Sequence, residues 1–334
     1  MPGTTEIWLA SVHVVGAAAA RARTAEREGI DGLSFGDTQH MAGDPFVGLS
    51  LAGAATERLK LMVGVTNPVT RHPAVTAAAI ATVHAESGGR AVLGVGRGDS
   101  SVGRVGDGAA PVDQTARFVE KVQQYLGGSG SRGPIPWIGR LGLPKVPVDV
   151  AATGPRMLAL GARYADRVTV NVGAIRDRVA SAAARVNSVG REAGRSVSLG
   201  AYVVIAAHPD PEVARGLALG PVAAYARLSG MPGARSEGLN VHDRAVIEAV
   251  TANYDLQAHG QRTARHIGHL DDEFVERFGV VGSPAHCAAR LRDLADLGLD
   301  RLVLVEGRDA NDRVAEEEAH RCLVDEVLPA FRSL

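Results

Sequence analysis

Three short segments of this 334-residue chain place titratable side chains among glycines, each directly after an apolar run. They read Gly36-Asp37-Thr38-Gln39-His40, Gly94-Val95-Gly96-Arg97-Gly98-Asp99-Ser100 and Ala152-Thr153-Gly154-Pro155-Arg156. Ser11-Val12-His13, Gly64-Val65-Thr66-Asn67-Pro68 and Asn171-Val172-Gly173 follow other apolar runs in the same way. Small residues leave backbone N–H groups accessible, which suits a flat ring carrying a phosphate tail. In the third segment Thr153 can cap a helix, Pro155 suits its first turn, and Gly154 permits close backbone approach. The start of that helix would attract an anion through its free N–H groups and its dipole. An ordinary cap with no ligand fits the same residues equally well. The Gly94-x-Gly96-x-Gly98 run does not make a dinucleotide fingerprint, because Asp99 takes the third glycine position and no helix is expected to open there.

Other reactive residues read as structural. His72 before Pro73 suits a helix start, and His13 a pocket wall. His266-x-x-His269, with His259 nearby, has loose ligand spacing in a polar stretch, so no metal site is expected. Two cysteines, Cys287 and Cys322, exclude a disulfide scaffold and point to a reducing, cytoplasmic setting. Thirty-six Lys and Arg balance 37 Asp and Glu, and with Trp8 and Trp137 the only tryptophans no nucleic-acid platform is expected. No apolar run reaches the roughly 18–20 residues that span a bilayer, so no membrane partner is expected either.

The elements that would position these segments alternate along the chain. Strands are expected at Ile7–Val15, Ile30–Phe35, Leu59–Val65, Ala91–Val95, Val146–Ala151, Arg167–Val172, Ser198–Ala206 and Arg301–Val305. Helices are expected at Ala17–Glu28, Asp44–Thr56, Pro73–Glu86, Val112–Leu126, Pro155–Tyr164, Arg176–Ala193, Glu212–Leu228, Asp243–His259, Pro284–Leu297 and Arg313–Phe331. Near-continuous Val, Leu, Ile and Ala runs suit strands covered on both faces, hence a parallel sheet. Eight such units in one chain fit a (β/α)8 TIM barrel better than an open sheet. Residues 1–334 are read as one barrel domain with insertions near 127–144 and 260–279, which are expected to shape the pocket. Many of the 40 glycines end apolar runs, where turns and close approaches fall.

The string Gly64-Val65-Thr66-Asn67-Pro68-Val69-Thr70-Arg71-His72-Pro73 and the stretch from Ser87 to Asp99 resemble the luciferase-like superfamily. Within it they are most similar to the branch that uses coenzyme F420, a 5-deazaflavin, typified by methylenetetrahydromethanopterin reductase. Ala151 to Arg156 and Ala165 to Gly173 fit the same family. The resemblance implies a bacterial luciferase-like barrel, usually a homodimer, and a small-molecule substrate.

Residue by residue, the resemblance implies a non-prolyl cis bond at Gly64–Val65 that props the back of the ring. Thr66 and Asn67 would hydrogen-bond the ring or its ribityl chain. Gly96, Arg97, Gly98, Ser100, Thr153, Gly154, Pro155 and Arg156 would hold the phosphate and anionic tail, with Arg97, Arg104 and Arg156 supplying charge. Asn171 and Gly173 would line the cavity. The implied chemistry is hydride transfer at C5 to or from a C=C, C=N or carbonyl bond, with Asp37, His40 and Asp99 as acid or base candidates. Asp37 alternatively orients the ring or caps its turn. Two departures from relatives stand out. Thr38, not His, follows Asp37, and the end of the first strand reads Leu9-Ala10-Ser11 without a glutamate. The alternatives are an FMN-dependent monooxygenase of the same superfamily and a catalytically silent cofactor-binding barrel.

Overall fold

In the computed structural model, which describes residues 5–127, 134–231, 233–234 and 238–333, nine parallel strands form one sheet. They are β1 (Glu6–Val12), β2 (Gly32–Gly36), β3 (Lys60–Thr66), β4 (Ala91–Val95), β5 (Val148–Ala152), β6 (Arg167–Val170), β7 (Ser198–Ala207), β8 (Val280–Gly282) and β9 (Arg301–Glu306). Pairing runs in order from β1 to β7, then from β7 to β9, and from β9 back to β1. Eight strands therefore close a (β/α)8 barrel, as the alternation predicts. The ninth, β8, lies outside the ring and pairs with the far end of β7, Ile205 to Ala207.

Local chemistry starts the outer helices. Asp44 accepts from the Phe46 amide at 2.8 Å ahead of Pro45, and Asp210 accepts from the Glu212 amide at 2.8 Å ahead of Pro211. Cap and proline together fix the point where each helix begins. Outward-facing strand residues such as Leu33, Leu61, Leu93, Val150, Leu302 and Leu304 pack against the helices in one continuous core.

Inward-facing residues fill the barrel. Trp8, Met62, Val92, Tyr202 and Val303 form a separate buried cluster. Beneath it Arg301, 1% exposed, donates to Asp149 at 2.9 Å and to Ser198 at 2.9 Å, while Thr169 donates to the same Asp149 carboxylate at 2.8 Å. Gly32 and Gly200 make room: a Cβ at either would fall on the Trp8 ring or the Arg301 side chain.

Several elements differ from expectation. A short helix, Ser100–Arg104, does open after Asp99. The helix expected over Asp243–His259 spans Val241–Ala252, because Asn240 caps it through the Asp243 amide at 2.7 Å and the chain then turns at Asn253. The stretch expected to be irregular, 260–279, holds a 3-10 turn at Arg265–His269 and a helix at Asp272–Phe278 capped by Asp271. The closing helix is interrupted by a π turn, Leu323–Val327, before it resumes at Leu328–Arg332. Pro329 has no N–H to give the preceding turn, which forces the ladder to adjust. The 127–144 stretch carries a helix at Pro136–Gly139, and its residues 128–133 lie outside the described ones. No described helix is long and apolar enough to cross a membrane.

Candidate active site

A cavity of about 690 Å³ opens at the C-terminal ends of the barrel strands. Its floor is the Gly64–Val65 peptide at the end of β3, which is cis as the resemblance implies. Glycines let β3 and β4 approach there. A Cβ on Gly64 would strike the Ser34 hydroxyl, and one on Gly96 would lie 2.8 Å from Val65 Cγ2. The β3–β4 register shifts between Val63 and Thr66, so the bulge turns Val65 toward the cavity and Thr66 away from it.

That shift corrects the expectation for Thr66 and Asn67, neither of which lines the cavity. Thr66 is fully buried and its hydroxyl donates to Asp37 Oδ2 at 2.7 Å. Asn67 Oδ1 accepts from the Val69 and Thr70 amides at 3.0 and 2.9 Å, tying the turn after β3.

Asp37 lines the cavity at the end of β2, yet its carboxylate is spoken for. Arg71 donates to its two oxygens at 2.8 and 3.3 Å, and Gln39 donates at 2.8 Å. Arg71 also reaches Asp44 at 2.6 Å and stacks over the Phe46 ring at 4.6 Å. Asp37 is therefore a buried anchor for the loops after β2 and β3. His40 is exposed and stands off the cavity wall, because the chain turns out to solvent after Gln39.

Asp99 lines the cavity after β4, with both oxygens engaged by Arg227 from the helix Pro211–Gly230. Arg227 lies 4.9 Å over the ring of Tyr254. The Tyr254 hydroxyl bonds His259 Nδ1 at 2.7 Å, and His259 lines the cavity. Burial, with Arg104 and Arg227 nearby, lowers the His259 pKa to about 4, and burial raises Tyr254 to about 12. Tyr202 on β7 and Tyr225 on the same helix as Arg227 also line the cavity, their centroids 6.2 Å apart. Burial pushes both phenols up, so they keep their protons.

The phosphate-facing expectations divide. Gly96, Arg97, Gly98, Ser100, Thr153, Gly154 and Arg156 line the cavity, as does Arg308, which sequence reading passed over. Gly154, not Thr153, caps the helix Pro155–Tyr164, in extended geometry and without a side-chain bond. A Cβ there would meet the Gly233 carbonyl oxygen at 2.6 Å. Pro155 lies in the first turn, off the wall. Arg104 donates to the Leu256 carbonyl at 2.6 Å and does not face the cavity. Asn171 lines it, whereas Gly173, with φ of 77° and Phe278 against it, serves the turn behind. His72 caps Pro73–Glu86 through the Ala74 amide at 3.2 Å. His266 stacks on Tyr254 at 4.1 Å. Among the described residues no part of 127–144 lines the cavity, and from 260–279 only Gly260 does.

Arg71, Arg227, Tyr254 and the tyrosine pair are functional neighbours with no local signal in the sequence. Only the position of Arg71 inside the Thr-Asn-Pro-x-Thr-Arg-His-Pro string could have marked it. The cavity suits a flat polar ring. Thr38 and Asn171 line it, and the Thr38 hydroxyl and Asn171 Oδ1 are themselves buried with no hydrogen-bond partner among the described residues. A bound ring with complementary donors and acceptors would satisfy both. Arg97 and Arg156, which follow the neighbouring strands β4 and β5, give one side positive charge, and Arg308 follows β9 on the opposite side of the ring.

A family model described as luciferase-like monooxygenase matches residues 3–301. The 5,10-methylenetetrahydromethanopterin reductase of Methanolobus tindarius is 29% identical over 296 residues, covering 84% of this chain and 87% of that protein. The protein of the same name from Methanopyrus kandleri is 27% identical over 319 residues, covering 85% and 86%. Among solved structures, the coenzyme F420 dependent tetrahydromethanopterin reductase of Methanopyrus kandleri superposes with a TM-score of 0.73 at 25% identity, covering 98% of this chain and 99% of that one. An F420-dependent secondary alcohol dehydrogenase in complex with an F420-acetone adduct shares the fold, with a TM-score of 0.72 at 16% identity over 99% and 100%.

Proposed function

The chain belongs to the luciferase-like monooxygenase family, and we propose that within it the protein is a coenzyme F420-dependent oxidoreductase acting on a C=C, C=N or carbonyl bond of a small organic molecule. The observation that carries this reading is the floor and wall of the cavity. Gly64–Val65 meets the glycine turn Gly96–Gly98 beneath unpartnered Thr38 and Asn171, in a chain alignable along most of its length with reductases named for this chemistry. When bound, F420 supplies or accepts a hydride at C5 of its ring.

The chain's own part is to bind, orient and shield. Gly64 and Val65 would support the ring, and Thr38 and Asn171 would meet its polar edge. Arg97 and Arg156, with the amides at Gly98 and Gly154, would hold the anionic tail. A hydride moving to an acceptor must be matched by a proton. Asp37 and Asp99 each have both oxygens engaged by an arginine. Among the cavity-lining groups that retain a proton without a charge are the phenols of Tyr202 and Tyr225. Asp99 then acts by positioning Arg227 and the segment packed on it, in place of a direct acid role.

The decisive experiment titrates the purified protein with F420 and with FMN, following cofactor fluorescence. F420 binding, followed by oxidation of reduced F420 with an acceptor panel, is the expected result. Binding of FMN alone overturns the proposal in favour of a flavin monooxygenase. F420 binding without turnover across the panel favours a silent binding barrel.

We also propose a cytoplasmic homodimer. Cys287 and Cys322 are free, buried thiols, as suits a reducing compartment. The helix Pro45–Ala54 has no charged residue, and its Val47 and Leu51 are 55% and 49% exposed beside Val75 at 57%. Such a face is soluble only when covered.

A further inference from the structure

The segment Tyr254–Gly260 gives His259 and Gly260 to the cavity wall and does not lie there loosely. The Arg104 guanidinium donates to the Leu256 carbonyl, Arg227 stacks on Tyr254 from below, and His266 stacks on the same ring at 4.1 Å. This packing holds His259 at the cavity wall.

The contact between Tyr254 and His259 bears on which ring nitrogen carries the proton. The Tyr254 hydroxyl lies 2.7 Å from His259 Nδ1. Burial keeps the Tyr254 phenol protonated, and His259 Nδ1 is the acceptor that the described hydrogen bonds provide for that proton. An acceptor Nδ1 on a neutral ring leaves the proton on Nε2. Nε2 has no protein partner among the described residues and is not sealed off as a buried orphan. The charged and titratable groups around the ring are Arg104, Arg227, Asp99 and His266. Asp99 is paired with Arg227, so the surroundings oppose an imidazolium. The pKa of about 4 agrees with that geometry.

We propose that His259 is a specificity-determining residue, a neutral imidazole whose Nε2–H donates a hydrogen bond to an acceptor oxygen or nitrogen of the substrate. The pocket would then select molecules with a carbonyl or imine close to the reacting bond over plain hydrocarbons, since an unpaired donor penalises the latter. This rests on the cavity being the active site of an F420-dependent enzyme.

Two measurements test it. The first needs no cofactor: long-range proton–nitrogen NMR of 15N-labelled protein, with the His259 signals identified by their loss in His259→Gln. The expected pattern is a neutral ring protonated at Nε2 from about pH 6 to about pH 8. Tyr254→Phe should blur that pattern into a mixture of tautomers. An imidazolium at about pH 6, a proton on Nδ1, or an unchanged pattern in Tyr254→Phe overturns the proposal. The second uses enzyme loaded with reduced F420 as hydride donor and 2-cyclohexen-1-one as acceptor. His259→Phe keeps a ring but no donor, and should raise KM by roughly tenfold or more while F420 affinity stays within about twofold. His259→Gln should recover most of the loss. A His259→Phe variant with the parent's KM and kcat overturns the proposal. Failure of the parent to bind F420 would instead refute the reading of the cavity, and the NMR measurement still decides the tautomer.

Discussion

His320 sits between two carboxylates, and its removal makes a sharp prediction about stability and pH. Its Nδ1 lies 2.6 Å from Glu306 at the end of β9, and its Nε2 lies 3.3 Å from Glu28. The hydrogen bond that His320 donates to Glu306 and the charge of both carboxylates raise the imidazole pKa to about 9, and Glu306 is held below the usual glutamate range despite burial. A histidine whose pKa is higher folded than unfolded stabilises the fold fully below its unfolded value of 6.5. That stabilisation is lost as pH rises through about 9. The difference corresponds to about 3 kcal/mol. The side chain is 32% exposed, so solvent screening brings the expectation to about 2 kcal/mol. Urea unfolding of the parent and of His320→Gln at about pH 6 and about pH 9.5 reads this directly. The variant should be about 2 kcal/mol less stable at the lower pH and nearly equal to the parent at the higher. Cys287 and Cys322, whose thiols burial pushes up, also weaken the fold as pH rises, but equally in both proteins, and so cancel in the comparison. Equal pH slopes in parent and variant would refute the reasoning.

Three further outcomes are expected. Arg71→Met leaves the Asp37 carboxylate, 1% exposed, without its counter-charge and should cost about 3 kcal/mol in urea unfolding, whereas adding Asp37→Asn should restore part of the loss; additive effects would argue against the pair. Gly96→Val puts side-chain atoms where Val65 Cγ2 already lies 2.8 Å from a Cβ, so F420 affinity should fall at least ~tenfold and the unfolding midpoint should fall with it; an unchanged affinity would refute the close approach. Leu51→Glu places a charge on the uncharged face of Pro45–Ala54, and sedimentation should show monomer where the parent is a dimer.

The barrel was legible because its strands are buried on both faces, which leaves near-continuous apolar runs such as Ala91–Val95 that no surface helix would carry. Strand β8 was not legible: three residues are too few for a period to register. The cavity wall was legible where glycines cluster after strands, as at Gly96 and Gly154. It was misread at Thr66, because one bulge between Val63 and Thr66 reverses which residues face inward. Asp37 and Asp99 were found, but their partners were not. Arg227 lies 128 residues from Asp99, on a helix whose pattern marks only its buried face. Such a pairing is decided by how helices settle on the barrel, which a single sequence does not record.

The ionic plug of Arg301 and Asp149 under Trp8 has a consequence for traffic. A barrel stoppered at its base offers a ligand no passage through its axis, so whatever rests on the Gly64–Val65 floor comes and goes by the end of the barrel where the strands terminate.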